Sequence, residues 1–235
     1  TLVYGDGGIG KSQMALSWAS AMHTGTEVAG LKTIQSNALY LDWETSDRMT
    51  WHRNAGLLKA ASVEPGPWPD PIHPESDRTG MVWYRFMSAP LWDSTEFLKA
   101  EVARLGIKLI VVDSAAPACG GMPESAEQTL KLFQSLRDIS DPSDPVSSVI
   151  LAHVTHEARK GGKSSPFGSV MWSNLPRNTF SLEVSRGQGA NNKSSDYALH
   201  HRKSNMGNLN APIGMRMSWT DDGCTIEPLN VRKHA

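Results

Sequence analysis

Near its start the chain carries Gly5-Asp6-Gly7-Gly8-Ile9-Gly10-Lys11-Ser12, a full match to G-x-x-x-x-G-K-[ST]. The pattern leaves little freedom of fold, because it works only between a buried strand and the first turn of a helix. Its glycines let backbone N–H groups turn inward around phosphate oxygens, and the helix start adds the positive end of its dipole. Both flanks fit: Thr1-Leu2-Val3-Tyr4 reads as a short buried strand, and Lys11–His23 as an amphipathic helix. In such a loop Lys11 reaches the β- and γ-phosphates of a nucleotide, and the Ser12 hydroxyl ligates Mg²⁺.

Position 1 is not Met and the first residues already form a strand, which reads as a core whose N-terminal extension is absent. Beyond the loop, apolar runs alternate with helical stretches, the pattern of an α/β protein with a mostly parallel sheet flanked by helices. Strands are predicted at Leu2–Tyr4, Ala38–Asp42, Val82–Phe86, Leu109–Asp113 and Val149–His153. Helices are predicted at Lys11–His23, Asp47–Ala61, Ser94–Leu105 and Glu124–Ile139, the third with the capping sequence Ser94-Thr95-Glu96-Phe97. After about residue 178 the helices give out. Short strands follow at Thr179–Val184, Asp196–His201, Met215–Thr220 and Thr225–Leu229, as β-rich C-terminal strands extending the same sheet. One domain over residues 1–235 is the expectation. Glu64–Pro74, Ala115–Pro123 and Glu157–Pro166 read as mobile surface loops.

Composition excludes several classes. With 39% hydrophobic and 20% charged residues the chain is globular rather than disordered. No apolar run approaches the ~18 residues of a membrane span, and no signal-peptide pattern opens the chain. Cys119 and Cys224 are the only cysteines, too few for a disulfide framework, so a cytoplasmic setting is expected. A formal charge of -1 argues against general coating of duplex nucleic acid but leaves room for a local basic strip. Eight tryptophans are expected chiefly as core or interface anchors.

Further motifs add chemistry. Leu109-Ile110-Val111-Val112-Asp113 is a buried strand ending in a carboxylate, and after a phosphate loop Asp113 is the expected acid of the Mg²⁺ shell. Tyr40-Leu41-Asp42-Trp43-Glu44-Thr45 ends a second strand, with Glu44 placed to polarise an attacking water. There is no Arg-rich kinase lid and no guanine-reading N-K-x-D motif. His153 and His156 form H-x-x-H, but on a strand that spacing splits the pair between two faces, so no metal site is expected. His153 reads either as a structural histidine or as a γ-phosphate sensor. Arg159, Lys160 and Lys163 flank Gly161-Gly162 in a basic loop. Single-strand binding adds stacking aromatics to such groups, and only Phe167 is near, so nucleic-acid contact and a solvated loop both stay open.

Taken in order over roughly residues 1–206, these motifs resemble the RecA-like ATPases. The likeness is to the hexameric replicative helicase branch typified by plasmid RepA-type helicases, grouped with DnaB-like and RadA-like proteins. It implies a RecA-like P-loop core, ATP and Mg²⁺ as ligands, a catalytic Glu at Glu44, the Walker B acid at Asp113 and a polar sensor at His153. The loop carrying Arg159, Lys160 and Lys163 would face DNA. Gly168-Ser169-Val170-Met171-Trp172-Ser173-Asn174-Leu175-Pro176-Arg177 looks like the family stretch ending in an arginine that reaches a neighbouring subunit's nucleotide. His201-Arg202-Lys203-Ser204-Asn205-Met206-Gly207 resembles the late strand-turn that offers a basic residue, here Lys203, to the adjacent ATP. Asn205 stands where some relatives have Arg, which leaves Arg177 as the finger, and Ser114 stands where several carry a second acid. The implied activity is ATP hydrolysis coupled to movement on single-stranded DNA by a homo-oligomer, a hexameric ring. Two alternatives remain at this stage: a RecA/RadA-like recombination or repair ATPase forming filaments, and a nucleotide-switched regulatory or scaffold module with little turnover.

Overall fold

In the computed structural model, which describes residues 1–66, 82–154, 165–186, 193–221 and 223–230, the apolar runs become the strands of a single sheet. In chain order the elements are β1 (Leu2–Gly5), α1 (Lys11–Thr24), β2 (Asn37–Asp42), α2 (Asp47–Ala60) and β3 (Trp83–Phe86). A 3-10 turn at Leu91–Ser94 leads into α3 (Thr95–Leu105), β4 (Ile107–Asp113), α4 (Ala115–Ala118), α5 (Ala126–Ile139) and β5 (Ser147–His153). A short α6 (Met171–Asn174) precedes β6 (Asn178–Arg186), β7 (Ser194–Ser204), β8 (Ile213–Thr220) and β9 (Gly223–Leu229). The nine strands lie in the order β3-β2-β4-β5-β1-β6-β7-β8-β9. Pairing is parallel from β3 through β6 and antiparallel from β6 through β9. The sheet is therefore mixed, mostly parallel, with the antiparallel C-terminal extension that the sequence predicts.

Residues of β4 divide between two cores, which is why the strand reads as a continuous apolar run. Ile110 and Val112 pack on one face with Leu98 and Val102 of α3 and Leu132 and Leu136 of α5. Leu109 and Val111 pack on the other with Met14, Ala15 and Leu16 of α1. Trp172, fully buried, anchors α6: its indole N–H donates to Pro123 O at 2.9 Å, and its ring meets Phe133 edge-on. Gly168 makes this docking possible. Its φ is +121°, and a Cβ there would stand 2.3 Å from Pro123 O.

Two local expectations are corrected. Ser94 does not cap α3; the 3-10 turn feeds the backbone directly into the helix, and Thr95 Oγ1 donates back to Trp92 O at 3.1 Å. Ala115–Pro123 is not simply an exposed loop, because α4 forms there and buries Ala115, Ala118 and Cys119 against the sheet. Most of Glu64–Pro74 and of Glu157–Pro166, with His156, lies outside the described residues. No helix among the described residues is long and apolar enough to cross a membrane.

Candidate active site

Parallel strands end on a common edge, and here β2, β4, β5 and β1 bring their C-terminal residues side by side. Asp42 pairs in register with Asp113, and Gly5 with His153. In open α/β sheets this edge is where ligands bind.

The phosphate loop leaves β1 at Gly5. A Cβ at Gly5 would stand 2.6 Å from Ile9 Cδ1 and 2.7 Å from Leu182 O, so only glycine lets the loop curl back at this point. Gly8 and Gly10 adopt positive φ, and the space in front of Gly8 is open. No side chain caps the start of α1 and its first turn holds no acid, so its N–H groups are left for an anion. Lys11 is buried, and its ammonium donates to Gly5 O at 3.0 Å and Asp6 O at 2.7 Å. Burial pushes its pKa down, and the carboxylates of Asp113, Glu44 and Asp6 pull it back. An open cradle of main-chain donors with a lysine folded into it fits a polyphosphate. Ser12 donates its hydroxyl to the Asp113 carboxylate. That pair of hard oxygen ligands suits Mg²⁺, which takes one or two carboxylates plus phosphates rather than a protein cage.

Asp113 ends β4 almost fully buried, which raises its pKa, while hydrogen bonds from Tyr40 and Ser12 pull it down. The Tyr40 bond runs from the phenol to Asp113 Oδ2 at 2.6 Å. Glu44 lies exposed beyond β2 and accepts a short hydrogen bond from Ser114 Oγ on the same Oε1 that faces His153. His153 Nε2 is 3.8 Å from that oxygen, an electrostatic contact longer than a hydrogen bond. His153 first and Ser114 next hold the Glu44 carboxyl below the usual glutamate range, against burial. The structure thus gathers Gly5, Asp6, Gly7, Gly8, Ile9, Gly10, Lys11, Ser12, Glu44, Asp113 and His153 around one edge.

Arg177 and Lys203 are not among them. Thr179 pairs with Leu2 and with Lys203, which puts both cations at the opposite edge of the sheet. Arg177 is exposed, and its carbonyl accepts from Asn205 N at 2.9 Å. The Lys203 ammonium donates to Ser173 O, Asn174 O and Pro176 O at 2.8–2.9 Å, gripping the turn that leads into Arg177. Arg159, Lys160 and Lys163 lie outside the described residues.

In sequence Asp42, Tyr40 and Tyr84 carry no assignable role, and Ser114 stands only as a departure from the family pattern. The Asp two residues before Glu44 was the available signal, since Asp in that position closes an Asx turn on the backbone ahead of it.

No curated protein matches the chain. The family profile of the AAA domain matches residues 1–159, which take in the phosphate loop, Glu44, Asp113 and His153. The match reaches a nucleotide-binding, ATPase-type P-loop family and stops short of the replicative-helicase branch. With a P-loop edge built as described and more than half of its 235 residues matched, the chain belongs to the AAA domain family.

Proposed function

We propose that residues 1–235 work as a single Mg²⁺-dependent ATPase domain that acts on single-stranded DNA as one subunit of a closed ring, like a replicative helicase. The observation that carries the ATPase part is the convergence of Lys11, Glu44, Asp113 and His153 on one sheet edge. Lys11 exchanges its two loop carbonyls for β- and γ-phosphate oxygens, and the N–H groups before α1 hold the remaining phosphate charge. Ser12 and Asp113 would hold Mg²⁺, which when bound neutralises charge between the phosphates. Glu44, kept ionised, orients the attacking water with the Oε2 that Ser114 does not occupy. His153, beside Gly7 and within reach of Glu44, reads the γ-phosphate. The ring reading rests on Arg177, exposed at the far edge of the sheet from its own phosphate loop, with Lys203 beside it.

Glu44→Gln tests the hydrolytic assignment. The amide keeps the shape and loses the charge that orients water, so turnover falls about 10²–10⁴-fold while nucleotide affinity stays. Loss of binding with hydrolysis intact would make Glu44 structural. ATPase rates measured with and without single-stranded DNA, together with particle images, separate a DNA-stimulated ring from a filament or a low-turnover scaffold.

The DNA contact is assigned to Arg159, Lys160 and Lys163. Replacing all three with Ala is expected to weaken single-strand binding and to flatten its slope against log salt by roughly 0.7 per lost phosphate contact. An unchanged slope would return the segment to a solvated loop.

A further inference from the structure

Glu44 lies beyond the end of β2, in a turn, where nothing in the ladder of the sheet fixes it. A water-orienting carboxylate must nevertheless be held closely, because a misplacement of about 1 Å costs on the order of 10²-fold in rate. Something outside the ladder has to hold that turn.

Asp42 is the last residue of β2 and is fully buried. Its Oδ1 accepts from the backbone N–H of Glu44 at 2.8 Å and of Thr45 at 3.0 Å. Its Oδ2 accepts from the hydroxyls of Thr45, of Thr50 at 3.1 Å and of Tyr84 at 3.2 Å. A carboxylate offers about four lone-pair sites, and five donors saturate it. Asp42 is therefore no base, although it ends its strand in register with Asp113 as a second catalytic acid would. One of its oxygens shapes the turn; the other ties that turn to α2 through Thr50 and to β3 through Tyr84. The neighbouring backbone is pinned as well, with Trp43 N donating to Asp113 O at 2.8 Å and the Trp43 indole to Ala89 O at 2.9 Å.

We infer that Asp42 is a positioning residue for hydrolysis, fixing the turn that carries Glu44 by joining it to the hydroxyls of Thr50 and Tyr84. The inference rests on the assignment of Glu44 as the water-orienting group and adds the device that holds it.

The test compares Asp42→Asn, Thr50→Val, Thr50→Ser and Tyr84→Phe in the full chain, with Glu44→Gln alongside. The readouts are kcat, KM and the affinity for a fluorescent ATP analogue. Asp42→Asn replaces one of the two acceptor oxygens with an NH₂ donor set against donors, and kcat is expected to fall about 10²-fold. Thr50→Val and Tyr84→Phe each remove one donor with little change of shape, and kcat is expected to fall about three- to tenfold with KM and analogue affinity unchanged. Thr50→Ser keeps the hydroxyl and is expected to stay within twofold of the parent. Because Asp42→Asn could fail to fold, the Thr50 pair and Tyr84→Phe carry the decision. Full kcat in both Thr50→Val and Tyr84→Phe overturns the inference. So does a fall matched by lost analogue affinity, or equal by serine and valine at position 50, since those mark general structural damage. If Glu44→Gln itself hydrolyses ATP, the Glu44 assignment has failed, and the positioning role falls with it for that separate reason.

Discussion

A Lys11→Ala chain is expected to keep its fold and to lose ATP turnover. Two separate terms are removed. Hydrogen bonds from a charged donor are worth about 1.5–3 kcal/mol, so nucleotide affinity is expected to drop about ten- to a hundredfold. Charge aimed at the phosphates in the transition state is lost as well, roughly another 10²–10³-fold in kcat. The fold survives because the ammonium is held against its desolvation. Its pKa is lowered in the folded chain, so the unfolded chain binds the proton more readily, and stability from this group rises only as pH climbs toward the ordinary lysine value. At neutral pH the buried charge thus costs folding free energy, which offsets part of the packing and of the two hydrogen bonds that Ala removes. Fluorescent-nucleotide titration, steady-state ATPase rates and a thermal melt check the three statements. Turnover at the parent rate would remove the loop from the mechanism.

Arg177→Ala is expected to lower turnover by ~10³–10⁵-fold while each subunit still binds nucleotide, the range for an arginine supplied to a phosphoryl-transfer site. Geometry excludes its own phosphate loop. Thr179 is level with Leu2, so Arg177 starts about five residues, or about 16 Å along the strand, from its own Gly5. That is farther than an arginine side chain spans. On the proposed finger role the site it serves is another subunit's, and two opposite edges meeting would make a head-to-tail contact that closes into a ring when the rotation allows. Mixing inactive Lys11→Ala with inactive Arg177→Ala is the decisive measurement. Where an intact phosphate loop meets an intact arginine, activity returns, at roughly a quarter of the parent rate for a random equal mixture. Full activity of Arg177→Ala alone, or no recovery despite proven co-assembly, would remove the trans role.

The strands and long helices were legible because their signals are local: β1 and β4 are apolar runs bounded by Gly or Asp, and α5 repeats buried residues Leu132, Leu136 and Ile139 at helical spacing. The phosphate loop and Asp113 were legible for the same reason. What escaped depends on residues far apart in sequence. Asp42 looks like an ordinary strand-ending Asp until Thr50 and Tyr84 are brought to it from α2 and β3. Lys203 reads as a free cation at a turn, whereas its partners Ser173, Asn174 and Pro176 lie on the other side of a strand pair. Ser94 misled because a capping pattern is satisfied in sequence even where a preceding 3-10 turn makes the cap unnecessary.

The strand order has a consequence for how the protein is made. β1 leaves the ribosome before the other strands of the sheet, yet its two neighbours are β5 and β6, which follow it by well over a hundred residues. Translation at about 5–20 residues per second puts β5 about 7–30 s behind β1. During that interval the nascent chain carries an apolar strand with both edges unpaired and a phosphate loop with no His153 beside it. Such long-range parallel pairing is slow to form and exposed to misassociation while it waits. Nucleotide therefore has no finished pocket to enter until β5 has been synthesised, and before then ATP cannot act as a folding aid for the strand that bears its own binding loop.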